Sequence, residues 1–337
     1  MAHFTLKTVT RWAIPLTISA LLQAQTPPAA QSLDIIFDQE MGAVRPAIGP
    51  ISSALVTGAL DAGMPLGLAE ISRRRDYVLA TGRDDSNVYL LKYAAGKLSS
   101  QPVNAPAGPD SLFLSPSGSS AAIYYRSAQL ILVLTGLPGS PVVTRSVSVT
   151  TSGGTMTLAA ISDDGQVLMT VVRFNSRRRV SNVESIYLEL NGALQSAGAL
   201  PAVSGMAFLL GSHDALIADS NLSSVYRIAT DSALPNLKKI AGPEDGISSL
   251  IGVALSLDNQ HTFAVTTAGD VFELNPGGGA RKLASCSCKP SGLYAMPGNA
   301  RFRLNNLPQS PLWIFDGDSS QPDVLFVPAA STTGKEN

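Results

Sequence analysis

Ala160-Ile161-Ser162-Asp163-Asp164-Gly165, with Val167-Leu168-Met169 directly behind it, places two apolar runs on either side of a tight polar turn. Leu112-Phe113-Leu114-Ser115-Pro116-Ser117-Gly118 repeats the pattern and leads into Ala121-Ala122-Ile123-Tyr124. Aligned on the turn serine, the chain carries six such units, anchored at Ser72, Ser115, Ser162, Leu210, Ser256 and Ala295, at intervals of 43, 47, 48, 46 and 39 residues. A period of roughly 40–50 residues fits one four-stranded sheet with its turns, the repeating element of a radial all-β architecture.

Three positions past each anchor stand Arg75, Gly118, Gly165, His213, Asn259 and Gly298. Apart from Arg75, these residue types enter the left-handed region readily, as a type I turn followed by a bulge requires. The next runs, among them Tyr77-Val78-Leu79-Ala80, Ala215-Leu216-Ile217 and Phe263-Ala264-Val265, are continuously apolar, as expected of strands covered on both faces. A third strand then carries Tyr89, Ile131, Tyr187, Tyr226, Phe272 and Trp313, and large rings suit the wedge between neighbouring sheets. The pattern predicts an all-β fold, a β-propeller of six four-stranded blades over residues 34–330. Residues 33–48 are assigned as the strand that closes the ring by completing a blade built from the other terminus. If they pair instead with residues 51–58, they form an additional incomplete blade and the count is seven.

Residues 1–24 read as a secretory signal peptide. Lys7 and Arg11 precede the apolar stretch Trp12 to Leu22, and small residues follow at Ala24 and Ala29-Ala30. A permanent membrane helix needs about twenty apolar residues, and Pro15 interrupts this run, so no membrane span is expected after cleavage. Cleavage after Ala24 leaves 25–33 as a flexible leader, and 331–337 reads as a disordered tail. The expected location is periplasmic or extracellular. Composition agrees: 45% hydrophobic, 15% charged, 29 glycines and 22 prolines in 337 residues favour turn-rich β structure. Removing residues 1–24 changes 24 basic against 25 acidic residues to 22 against 25, which argues against nucleic acid as a partner.

Residues with chemistry are sparse. Cys286 and Cys288 are expected to form a disulfide in an oxidising compartment, which requires a bend, because residues two apart in a strand have α-carbons roughly 6.6 Å apart. His213 and His261 fall in turns of separate units, and no Ser-His-Asp set follows from spacing. Asp316-Gly317-Asp318 with Asp323 has oxygen ligands without an established calcium spacing, and calcium is the one cofactor considered. Arg73-Arg74-Arg75 and Arg177-Arg178-Arg179 read as solvated turn charge, or as an anion or acidic-polymer site if both runs share a face. Asn221-Leu222-Ser223 matches the glycosylation triplet.

The units at Leu112–Gly118 and Ala160–Gly165 resemble the strand-turn-strand core of bacterial exported propeller repeats of the YVTN and WD-repeat-like kind. Cys286-Ser287-Cys288-Lys289-Pro290-Ser291-Gly292-Leu293, with Arg301-Phe302-Arg303-Leu304 and Leu312-Trp313-Ile314-Phe315-Asp316, resembles the closing unit of uncharacterised members of that group. The resemblance implies a propeller and export and supplies no catalytic or metal residues. Three classes follow: a monomeric, non-catalytic binder of a protein or glycan through a loop face or the axial funnel; a metal-dependent lactonase-like or other hydrolase; and a structural assembly module. The hydrolase would draw its ion ligands from Glu70, Asp110, Asp163, Asp258 and Asn259, which the sequence leaves scattered. Trp313 is the only tryptophan beyond the signal segment, so the repeated tryptophan docking of quinone-dependent dehydrogenases is missing.

Overall fold

Each apolar run of the repeat divides its side chains between two interfaces, because successive residues of a strand point to opposite faces. A computed structural model describes residues 32–149, 154–174, 183–190, 192–230, 235–309 and 311–328. In it Tyr77 and Leu79 pack with Leu112, Ala121 and Ile123 of the following sheet, while Val78 and Ala80 pack with Ile35 and Val44 of the preceding one. Seven apolar clusters among the described residues occupy seven sheet-to-sheet interfaces in this way.

The sheets are consecutive antiparallel meanders. Blade one holds β1 (Ser32–Asp38), β2 (Ala43–Ile48) and β3 (Leu55–Val56). Blade two holds β4 (Leu66–Ile71), β5 (Tyr77–Gly82), β6 (Val88–Ala94) and β7 (Lys97–Pro102), and blade three β8 (Ser111–Leu114), β9 (Ser120–Tyr125), β10 (Leu130–Thr135) and β11 (Val142–Ser148). Blade four holds β12 (Gly154–Ile161), β13 (Val167–Phe174), β14 (Glu184–Leu190) and β15 (Ala193–Leu200), and blade five β16 (Val203–Phe208), β17 (Ala215–Asp219), β18 (Ser224–Ala229) and β19 (Asn236–Ala241). Blade six holds β20 (Leu250–Leu255), β21 (Thr262–Thr266), β22 (Asp270–Leu274) and β23 (Ala280–Ser285), and blade seven β24 (Tyr294–Ala295), β25 (Arg301–Arg303), β26 (Leu312–Asp316) and β27 (Asp323–Val327). The second strands β5, β9 and β17 are buried along their whole length, and all six residues of the aromatic series lie on third strands.

The fold is the β-propeller read from the repeat, with the alternative count of seven. Assigning 33–48 as the closing strand of a blade from the other terminus was incorrect: β1 pairs β2, and β2 pairs β3 through Ala47↔Val56 and Ile48↔Leu55. Blade seven needs no donated strand, since β27 completes its own sheet against β26. The seam is packed rather than woven, with Ile36, Ala47 and Val56 of blade one against Met296, Leu312, Ile314 and Val327 of blade seven.

Blade one also lacks an inner strand among the described residues. The β1–β2 turn lies beside the start of β4, where Leu66 N donates to Gly42 O (2.7 Å), and beside the β5–β6 turn, where Arg83 Nη2 donates to Gln39 O (3.1 Å). β1 therefore runs opposite to β4, as β5 does, and holds the second position of its blade.

The anchor serine has a definite job. Ser162 N donates to Val167 O, and its hydroxyl accepts from Val167 N (2.9 Å) and donates to Asp164 (2.7 Å). Ser72, Ser115 and Ser256 make the same backbone pair to Tyr77, Ser120 and His261, and all four serines are buried. In the degenerate units the equivalent positions are Leu209, bonded to Asp214 O, and Met296, bonded to Arg301 O, one residue from Leu210 and Ala295. The left-handed residue accordingly shifts: Arg75, Gly118, Gly165 and Asn259 stand three past the anchor, Gly211 and Gly298 two past it. The turn closes in either form, which is why the spacing misplaced these two anchors by one.

Candidate functional site: the axial channel

The inner strands β4, β8, β12, β16, β20 and β24 surround a half-open cavity of about 470 Å³, with Glu70, Leu112, Ala160, Met206, Ala254 and Ala295 each contributed by a different one of them. Such strands present alternate side chains inward, and most of those here are small or aliphatic. The ionisable groups gather on one side, Glu70, Arg73 and Arg75 from blade two with Tyr294 and Arg303 from blade seven, while Gln39, Ser115, Ser256, Asn259 and Asn306 add neutral polar groups around the lumen and Phe113 and Phe208 add rings.

Asp34 on β1 holds two of these arginines. Arg303 Nε donates to its Oδ2 (2.8 Å), and Arg75 Nε donates to its Oδ1; Asp34 is 1% exposed, Arg303 6% and Arg75 9%. Arg75 also donates to Ser72 O (2.6 Å) and to Ala295 O, so one guanidinium joins blades one, two and seven. Burial lowers the Arg303 pKa, with Asp34 opposing that shift. This clasp fills the place an inner strand of blade one would take.

Arg73 behaves differently. Its Nη1 donates to Leu255 O of blade six (3.0 Å) and its Nη2 to Asn299 O of blade seven (2.9 Å), and the guanidinium lies 5.8 Å from the centre of the Phe302 ring. Nε is buried without a partner, and among the described residues no carboxylate comes within 4 Å. Desolvation first, and Arg75 second, push its pKa down to about 10. Glu70 lines the lumen, and enclosure by protein pushes its carboxyl up to about 7 against the pull of Arg303. Reading Arg73–Arg75 as solvated turn charge holds for Arg74 alone, which is exposed; the other two turn into the axis. Arg177–Arg179 lie outside the described residues, as do the signal segment and the tail.

Of the residues considered as ion ligands, Glu70 lines the channel, and the others are engaged in ties between turns or lie at the surface. Asp163 ties three blades together, accepting from Ser117 N (2.7 Å) and Oγ (2.6 Å) of blade three and from Gly211 N (2.7 Å) of blade five. Asn259 exchanges two hydrogen bonds with the Leu210 backbone, and Asp258 and Asn299 exchange two more between blades six and seven. Asp318 accepts from Asn299 N and Ala300 N, Asp316 from Arg301 Nε (3.0 Å), and Asp323 from Val324 N. Asp110 is exposed and accepts from Arg126 N. Among the described residues no three His, Cys, Asp or Glu side chains converge as metal ligands. His213 meets Asp164 (2.8 Å) and His261 meets Glu273 (2.7 Å), both at the surface. Asn221-Leu222-Ser223 forms the β17–β18 turn, with Leu222 N donating to Asp219. Cys286 and Cys288 are joined by a disulfide across α-carbons 5.1 Å apart, in the connection leading to β24. No helix of the described residues is long and apolar enough to cross a membrane.

Asp34 and Arg303 escaped the sequence reading, since both sit in short runs without a repeat partner of like charge. The usable signals were departures from the repeat: Arg75 where other units carry glycine or asparagine, and Glu70 within an apolar inner strand.

No protein-family model matches the chain, and no curated protein matches it. Solved structures are similar in fold. A functionally unknown protein from Desulfotomaculum acetoxidans DSM 771 is 10% identical, with a TM-score of 0.57 over 89% of this chain and 100% of that one. The Cps50 (Swd1) β-propeller domain of Myceliophteria thermophila is 8% identical, with a TM-score of 0.52 over 76% of this chain and 84% of that one. The WD40 repeats of RRP9 are 14% identical, with a TM-score of 0.51 over 79% and 81%. At these identities the likeness establishes the β-propeller fold and nothing about family or activity.

Proposed function

We propose that this protein is a monomeric, non-catalytic binding propeller, exported to the periplasm or the cell exterior, that receives part of a protein or glycan partner in its axial channel. The observation that carries this reading is the cavity itself: a concave space of ligand size whose wall mixes apolar side chains with polar ones and whose charged groups gather on one side. The resemblance to exported YVTN-like repeats and the pattern of residues 1–24 support export, with the mature chain beginning at Gln25.

The test uses protein labelled with 13C at its methionine methyls, titrated with an array of oligosaccharides and peptides. Met206 lines the channel, so a bound partner shifts its methyl resonance. A partner that binds while leaving Met206 unmoved transfers the site to a loop face and overturns the channel reading. On this reading calcium leaves the melting temperature unchanged, whereas a metal-dependent hydrolase would be stabilised by its ion. Terminal sequencing of the exported protein checks the cleavage point.

A further inference from the structure

Positive charge is concentrated in the channel of a chain whose net charge is −1. Arg73, Arg75 and Arg303 line it, and Asp34 offsets one of the three. Among Arg73, Arg75, Arg303, Asp34 and Glu70 alone the excess is two positive charges with Glu70 neutral and one with it ionised, and Asp258 and Asp318 offset part of it at longer range. Arg75 and Arg303 are held by the clasp, which leaves the charge of Arg73 as the one without a carboxylate within 4 Å among the described residues. Asp318 and Asp258 act on it only from beyond 4 Å, so a desolvated guanidinium whose donors meet neutral carbonyls and a ring face is compensated in part, and an ionised acceptor in direct contact is the group that completes the compensation best. Apolar side chains, among them Phe113, Met206, Val253 and Phe302, share the rest of the wall with neutral polar ones such as Asn259 and Asn306.

We infer that the channel selects a small organic acid, its carboxylate seated at Arg73 and its apolar body lying along the inner strands. The inference rests on the channel-binding reading above and specifies its ligand chemistry, so a partner would be held by a carboxylate-bearing end. A singly charged acid fits better than a phosphate, because Glu70 shares the lumen and its ionised form opposes a second negative charge. The volume admits a ligand of ordinary metabolite size with room for water around its polar end.

The probes are 4-phenylbutanoate and its neutral isostere 4-phenylbutanamide, followed by calorimetry and by the Met206 methyl resonance. The acid is expected to bind at least tenfold more tightly than the amide, since a charge-assisted hydrogen bond replaces a neutral one. Arg73→Gln removes that preference, and Arg73→Lys, which keeps the charge, retains part of it. The comparison on unsubstituted protein stands even if Arg73→Gln fails to fold. Equal affinities for acid and amide with Met206 shifted by both would sink the charge selectivity and leave the channel reading intact. Binding of the acid without a Met206 shift, or no binding of either probe at millimolar concentration, also overturns the inference; the oligosaccharide and peptide array then decides the broader reading separately.

Discussion

Asp34→Asn keeps the shape of the side chain at the seam and removes the one negative charge that two buried guanidiniums share. Arg75 retains the Ser72 and Ala295 carbonyls, and Arg303 retains Asn305 O and Asn306 Oδ1, so the loss is of charge compensation rather than of every hydrogen bond. Breaking a buried ion pair on one side costs about 3–5 kcal/mol, and with these remaining acceptors we expect about 3 kcal/mol. For a chain of this size each kcal/mol moves the melting temperature by about 2 °C, which predicts a fall of about 6 °C. Urea unfolding followed by Trp313 fluorescence reads the effect, because Trp313 sits in blade seven beside Phe326, on the face packed against blade six, and reports when that blade unfolds. Arg227→Ala is the control: it breaks the half-exposed Arg227–Asp214 pair and should cost under about 1 kcal/mol. Adding Arg303→Met to Asp34→Asn removes one stranded cation and should recover about 1 kcal/mol or more through coupling. A loss from Asp34→Asn no larger than that of the control would refute the clasp as the closure of the ring.

Glu70→Gln should flatten the pH dependence of stability. The folded carboxyl is raised from 4.5 to about 7, so its contribution is fully present below about 4.5 and lost as pH rises through about 7. The lumen exposure of Glu70 screens that loss to roughly 1 kcal/mol, and thermal melts at pH 5 and 8 should show the variant gaining that amount only at the higher pH. Ser162→Ala strips the buried turn of the hydroxyl that serves Val167 N and Asp164 and should lower stability by about 1–2 kcal/mol, whereas Ser212→Ala in the degenerate turn should cost under about 0.5 kcal/mol in the same melts. Replacing both Cys286 and Cys288 by serine should cost at most about 1.5 kcal/mol, since so short a loop restrains few conformations; a larger loss in urea would assign the bridge a packing role.

Much of the fold was legible because it is local. The turn serine, the left-handed residue and the flanking apolar runs each act within ten residues, and they marked the second strands β5, β9, β13, β17 and β21 correctly. The one-residue errors at Leu210 and Ala295 arose where leucine and methionine replace the serine that anchors the turn, so that no side chain declares the register. The channel was far less legible. Asp163, Asp258 and Asn259 looked like scattered ligands in sequence, and in space they are ties between neighbouring turns.

The sequence by itself determined the repeat, its strands and the two-sided burial of each second strand, since these follow from residue type and period. Only the tertiary structure decided the count of seven, the packed seam and the charges of the axis. Asp34 lies 41 residues from Arg75 and 269 from Arg303, and their meeting depends on a radial ring that returns the last blade to the first. No local pattern encodes that meeting, because it is set by the angle each blade adds as its wedge-shaped faces pack.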